Sequence, residues 1–207
     1  MNGPLRLKSW GTQENGDGPL RRGHRDGCLI ACERFSRGER FTSVILPTRY
    51  GKSHLARFLT VAACFGIETP NGVIHPFASC GLFLTHRGFL SRQIIDGKKW
   101  KEFYRLFQIE NAPSVMATQI ARSPDRPQNI CPNGEQFAVA TIPMISNNIE
   151  VFADWVEWKA QHSKPPVVFA DEAQFFGDGD DKKWGPALLR LAEAGAFVMP
   201  MTATPMR

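Results

Sequence analysis

Short β-rich apolar runs alternate with amphipathic helical stripes along most of this 207-residue chain, and no other feature constrains its fold as strongly. "FTSVILP" (41–47) is a short β-rich run. In "KSHLARFLTVAACFG", Leu55, Phe58, Leu59 and Ala62 recur at i, i+3, i+4 and i+7, a helical stripe that Gly66 ends. "CGLFLT" (80–85) reads as a strand, and helical spacing returns through Trp100, Phe103, Tyr104 and Phe107. "PSVMATQI" and "EQFAVATI" read as strands separated by a loop (121–134) rich in Pro, Asn and Arg. "NNIEVFADWVEWKAQH" reads as a helix. "PPVVFAD" (165–171) is a continuous apolar run ending in an acid, as a parallel strand buried on both faces would be. A helix over "WGPALLRLAEAG" and a strand over "AFVMPMTATP" follow, and a further helix covers about 23–36 near the start. This alternation predicts an α/β domain, a mainly parallel sheet with helices on both faces. It also directs attention to the carboxyl ends of the strands, where such sheets bind ligands. Residues 1–19, rich in Gly, Asn and polar side chains, are expected to form a flexible arm, and 20–207 the domain.

Charge and cysteine content narrow the functional classes. The net charge of +5 is mildly basic, so a polyanionic partner is allowed and not demanded. Residues 1–60 carry eleven Lys+Arg against five Asp+Glu, whereas "DEAQFFGDGDD" (171–181) holds five acids and no base. The five cysteines form no C-x-x-C pair. Cys28 and Cys32 share a helix face, but His24 is the one evident further zinc ligand, so free thiols in a reducing compartment fit better. No charged-then-apolar leader starts the chain, and no apolar run approaches the ~20 residues of a membrane span. A cytoplasmic protein without a membrane partner is expected.

Three strand ends carry chemistry. The first is "PTRYGKS", a strand running through a tight loop into a helix. Backbone N–H groups of such a loop wrap phosphates, with help from the helix N-terminus. Thr48, Arg49, Tyr50 and Gly51 would line the phosphates, Lys52 would reach the outer ones, and Ser53 would ligate Mg²⁺. The full G-x-x-x-x-G-K-[ST] pattern is not met, because residue 46 is Leu. The second end is "VVFADEAQ": Asp171 closes the buried strand in position to hold Mg²⁺, and Glu172 follows in position to polarise an attacking water. The third is "MPMTATPMR", with Thr202 and Thr204 flanking Ala203.

Taken in order, these segments resemble the superfamily 2 helicases and translocases, the DEAD/DEAH-like group. The resemblance covers their N-terminal RecA-like domain over about residues 20–207. "PTRYGKS" is similar to motif I, "DEAQ" to motif II, "TATP" to motif III and "FLTHRGFLSRQ" (83–93) to motif Ia. "VATIPMI" (139–145) and "TATPMR" resemble the restriction-enzyme-like branch. The resemblance implies a RecA-like P-loop NTPase domain that uses ATP and Mg²⁺. Glu172, Lys52 and Asp171 would be catalytic, and Ser53 and Asp171 would hold the metal. Gln174, Thr202 and Thr204 would couple nucleotide state to domain closure, and Thr85, Arg87 and Thr141 would touch nucleic-acid phosphates without reading sequence. "LRRGHRDG" (20–27) resembles the adenine-recognition stretch, with His24 where Gln is usual.

The same resemblance implies nucleic acid as a partner, DNA before RNA. It also implies a second RecA-like domain or subunit that supplies an arginine finger, a group worth about 10³–10⁵ in rate. Arg49 stands where the pattern has Gly, a departure that would strain the loop, point outward, or add a phosphate donor. Two other readings therefore stay open. One is a degenerate RecA-like module that binds nucleic acid or a partner without turnover. The other is a viral DNA-packaging-type ATPase.

Overall fold

Strand order, more than strand count, decides where the chemistry-bearing residues meet. The computed structural model describes residues 3–16, 18–47, 49–86, 88–173 and 184–203. The chain enters through α1 (Arg22–Ser36), β1 (Val44–Ile45) and α2 (Lys52–Phe65). A hairpin of β2 (Ile67–Thr69) and β3 (Gly72–Ile74) leads to β4 (Gly81–Thr85), α3 (Gly88–Ile95) and α4 (Gly97–Leu106). Next come β5 (Ala117–Gln119), β6 (Phe137–Thr141), α5 (Ile142–Asn147), α6 (Ile149–His162) and β7 (Val167–Asp171). The last described elements are α7 (Trp184–Glu193) and β8 (Phe197–Thr202). Six strands form one sheet in the order β1-β8-β7-β4-β6-β5, and every neighbouring pair is parallel. The α/β fold expected from the alternation is the fold observed.

Period-two alternation sorts each central strand onto two cores. Phe83, Phe137, Phe169 and Met199 pack with Cys28, Phe58, Leu59 and Phe103 from α1, α2 and α4. Leu82, Ala138, Val168, Ala170 and Val198 pack on the other face with Phe152, Trp155, Leu188 and Leu191 from α6 and α7. Both faces of β4 and the first four residues of β7 are buried, which is why these strands read as unbroken apolar runs. Among the described residues no helix is long and apolar enough to cross a membrane.

One local expectation needs correction, and two features go beyond what the sequence announces. The helical spacing through Trp100, Phe103 and Tyr104 belongs to α4, a helix separate from α3: Asp96 accepts a hydrogen bond from the Lys98 amide (2.8 Å) and starts α4 as an N-cap. The β2–β3 hairpin and the short α5, entered through Pro143 in its first turn, have no expectation behind them because neither is long enough to show a period. The opening segment packs on the domain and does not hang free. Leu5 and Leu7 are buried, Leu5 pairs with Ile67, and Leu7 pairs with Ile109. Arg6 grips Glu68 through two hydrogen bonds of 2.9 Å each. Two leucines in extended alternation outweigh the polar composition around them, because each covers apolar surface that α2 and the hairpin leave open.

Gly81 marks a close approach of α2 to the sheet. A methyl group there would collide with the Thr60 hydroxyl and come within 3.1 Å of the Phe169 ring. Gly81→Ala is expected to destabilise the fold by about 1–3 kcal/mol through overpacking. Adding Thr60→Ala should restore part of that loss, since the buried Thr60 hydroxyl has no hydrogen-bond partner among the described residues to lose. Urea unfolding of the single and double variants measures both effects.

Candidate functional site

Parallel strands bring their carboxyl ends to one edge, and adjacent register sets which residues meet there. Asp171 at the end of β7 lies opposite Met201 of β8, next to Thr202, and Ile45 of β1 lies opposite Thr202. From β1 the chain turns through Pro47 and Tyr50, whose amide donates to the Pro47 carbonyl (3.1 Å), into Gly51. Gly51 sits at φ 97°, in the left-handed region, and begins α2. It has no side chain to cap the helix, and among the described residues nothing else caps the Lys52 and Ser53 amides, which leaves them to an anion.

Lys52 is the centre of the site. It is 9% exposed, and its Nζ lies 3.0 Å from Glu172 Oε1 and 3.4 Å from Asp171 Oδ1. The contact with Asp171 is close enough for ion pairing but off hydrogen-bond geometry, which leaves Asp171 Oδ1 buried without a donor among the described residues. Burial raises the Asp171 carboxyl above its ordinary range; Lys52 opposes that shift and Glu172 adds to it. Glu172 itself holds a left-handed backbone (φ 56°). For a residue with a Cβ this costs about 1 kcal/mol or more, and such strain concentrates at functional positions.

A cavity of about 540 Å³ opens beside this triad. Among its walls are His24, Arg49, Tyr50, Gly51, Lys52, Ser53 and Asp171, so seven of the residues singled out in the sequence meet around one space. Arg49 takes the conformation a glycine would, φ 62°, and its exposed side chain lies at the cavity wall with no partner among the described residues. The left-handed strain of about 1 kcal/mol is matched by the roughly 0.5–1 kcal/mol of chain entropy that a glycine would cost here. Arg49 is therefore no obstacle to the loop's geometry.

Tyr50 anchors the loop sideways. Its hydroxyl donates to Glu14 Oε1 and accepts from the Gly23 amide, both at 3.1 Å, while the Arg22 amide donates to Glu14 Oε2 (2.9 Å). Arg21 donates to the Tyr50 carbonyl (3.2 Å) and lies 5.1 Å from the ring centre. Glu14 thus caps α1 from the opening segment, a role that no local pattern in that segment announces. His24 lies under the loop, its ring 5.2 Å from Tyr50 and 5.5 Å from Phe107. A Cβ on Gly51 would meet His24 Nε2 at 3.2 Å, so a side chain there would crowd the His24 ring in addition to straining φ.

The remaining expected residues lie elsewhere. Thr202 ends β8 and is buried. Thr85 and Thr141 are register partners at the ends of β4 and β6, outside the cavity walls. Thr85 is 1% exposed because β4 is central and covered on both faces, so it offers no surface to a nucleic-acid phosphate in this conformation; Thr141 is partly exposed. Thr48, Arg87, Gln174 and Thr204 lie outside the described residues. Sequence reading missed His54 and Arg57, which also line the cavity. Helical spacing from Ser53 would have put Arg57 on the same face.

The sequence matches no family model and no curated protein. The fold does match solved structures of helicases. The helicase domain of Hef from Pyrococcus furiosus superposes with a TM-score of 0.51 at 16% identity, over 86% of this chain and 33% of that one. The DUF1998 helicase MrfA superposes with a TM-score of 0.55 at 13% identity, over 93% of this chain and 28% of that one. The chain therefore has the fold of a helicase domain and spans about a third of the length of these proteins.

Burial pushes the His24 imidazole down to about 4 from 6.5, with His54 lowering it further. The unfolded chain therefore binds more protons than the folded one between these values. Stability is full above pH 6.5 and falls as pH drops toward 4, by on the order of 3 kcal/mol from this group. In His24→Gln the slope of unfolding free energy across that window should flatten, as measured by urea denaturation at several pH values.

Proposed function

We propose that this chain is the ATP-binding lobe of a nucleic-acid-dependent ATPase, a helicase or DNA translocase that moves a strand when a second lobe joins it. The observation that carries this reading is the pairing of Lys52, at the mouth of a helix opened by a left-handed Gly51, with two carboxylates at the end of β7. A buried ammonium between two acids, beside a cavity walled by open amides, is a site poised to exchange one set of anions for another.

The donor set suits Mg²⁺. Asp171 Oδ1 lacks a hydrogen-bond donor among the described residues, and Ser53 lines the same cavity. Hydroxyl and carboxylate oxygens are the ligands that this small, hard cation takes alongside water and phosphate oxygens. Mg·ATP, when bound, supplies the phosphoanhydride and neutralises developing charge. Lys52 would exchange the carboxylates for the outer phosphates, and Glu172, released from Lys52, would orient water and take its proton as the water's oxygen bonds to the terminal phosphorus and the bridging oxygen leaves with the diphosphate. Tyr50 and Glu14 hold the loop in register while the charges exchange. Arg49, at the cavity wall, adds a guanidinium to the phosphate side. The helicase fold and the motif I, II and III resemblance support a nucleic-acid partner, and the branch resemblance favours DNA.

Lys52→Ala should weaken Mg·ATP by at least about tenfold, since a charge-assisted contact is worth more than about 1.4 kcal/mol. Arg49→Gly should still bind Mg·ATP. Titration calorimetry tests both. A wild-type chain and an Arg49→Gly variant that both leave Mg·ATP unbound would end the nucleotide reading.

A further inference from the structure

The nucleotide reading uses Asp171 and the loop, but leaves part of the cavity unexplained. Two further walls, His54 Nδ1 and Arg57 Nε, also carry buried polar atoms with no hydrogen-bond partner among the described residues. Arg57 follows Ser53 by one turn of α2 and is 3% exposed. Its Nη2 donates to the Ile94 carbonyl (2.8 Å) and the Gln93 carbonyl (3.4 Å) at the end of α3. The guanidinium carbon also lies 5.6 Å from the centre of the Trp100 ring.

These contacts use one nitrogen of a group with five N–H donors. Arg57 makes no ion pair among the described residues. Glu102 and Asp96 favour its charge from farther off, yet burial still lowers it to about 10 from 12.5. Glu102, also in the wall, is held by Lys99 at 2.8 Å, so the acid that could answer Arg57 is already engaged. A buried guanidinium without a counter-ion is expensive unless something anionic reaches it. Around Arg57 the cavity wall therefore carries Lys99 and Glu102, exposed and paired with each other, and one imidazole with an open nitrogen, which leaves Arg57 as the cation without a counter-ion among the described residues there.

We propose that this inner compartment, between α2, the end of α3 and α4, is an oxyanion subsite that takes a phosphate group, distinct from the place at Lys52 and Ser53. Arg57 Nε and Lys99 Nζ donate to its oxygens, and His54 Nδ1, carrying the proton in that tautomer, supplies a third donor. The source is free inorganic phosphate, since Asp171 lines the same cavity and phosphate left by hydrolysis enters without crossing bulk solvent. A phosphate of a bound strand has the same chemistry. The proposal rests on the nucleotide reading for this source alone.

The test is titration of inorganic phosphate, without nucleotide, into the 207-residue chain and its variants, followed by calorimetry and ³¹P line broadening. Arg57→Gln keeps a donor for the Ile94 carbonyl and removes the charge; Arg57→Lys keeps the charge. Lys99→Ala alters the same compartment from its exposed rim and decides the outcome if Arg57→Gln does not fold. Lys52→Ala removes only phosphate held at Lys52 and Ser53, and should keep the binding that Arg57 supports. Arg57→Gln should bind it at least about tenfold more weakly, with Arg57→Lys recovering part and Lys99→Ala losing part. No phosphate binding by the wild type overturns the subsite, as does binding that Lys52→Ala abolishes and that Arg57→Gln and Lys99→Ala leave intact. Displacement of bound phosphate by a short oligonucleotide without terminal phosphates upholds the subsite and assigns it to a strand; no displacement upholds it for free phosphate. Phosphate binding retained in a chain that fails to bind Mg·ATP upholds the subsite and removes the nucleotide reading instead.

Discussion

The ion pairs of Lys52 with Asp171 and Glu172 hold the two halves of this site to each other. Lys52 begins the helix after β1, and Glu172 follows β7, 120 residues later. A nearly buried ammonium has to be answered by charge, and the acids that answer it are reachable because β8 alone separates β1 from β7 in the sheet. The pairing fixes the start of α2 against the end of β7, and the cavity lies beside it. Burial raises the Asp171 carboxyl while Lys52 opposes that shift, and its Oδ1 has no hydrogen-bond donor among the described residues. Breaking a pair of this kind from one side strands the other charge, so the loop and the strand end depend on each other.

Around that centre the loop is braced from directions that a phosphate-binding pattern does not mention. Tyr50 ties it to Glu14 and to the first turn of α1, and a row of rings, Tyr50, His24, Phe107 and His54, lies beneath Gly51. This bracing explains how Arg49 occupies a glycine conformation without distorting the turn. The backbone strain is small, the side chain has solvent to go to, and the neighbouring contacts set the loop's path. Arg57 extends the same logic one turn further along α2, where it holds the carbonyl end of α3. That tie connects α2 to α3, the helix that follows β4.

Much of the fold could be read from the chain because its central strands are buried on both faces and its long helices carry apolar stripes. "CGLFLT" and "PPVVFAD" became β4 and β7 within one or two residues, and the stripe Leu55, Phe58, Leu59, Ala62 lies in α2, which is buried on every side from Leu55 to Ala63. The elements that escaped are those whose placement comes from contacts distant in sequence. The β2–β3 hairpin is three residues a side, α5 has a turn and a half, and the opening segment is polar except for the two leucines that pin it. In the site, Lys52, Ser53, Asp171 and Glu172 could be singled out because their types and spacing resemble a phosphate-and-metal pattern, and the structure brings them together at one strand edge. Glu14, His54 and Arg57 were not, since a carboxylate in a loop or a basic side chain on a helix has many ordinary uses.

The sequence by itself determined the periodicities, and through them the parallel sheet, its two layers of helices and the residue types at three strand ends. Those follow from local rules: backbone period, apolar pattern and loop composition need no knowledge of what lies across the sheet. Tertiary structure alone decided that β1, β8 and β7 are neighbours, that Lys52 is buried between two acids, and that Arg49 lies at the cavity wall without distorting the loop. It also decided that Thr85 is sealed in the core and that the opening segment closes one side of the loop. Each of these depends on which strand edges and which buried charges find one another, and that is set by the packing of the whole domain.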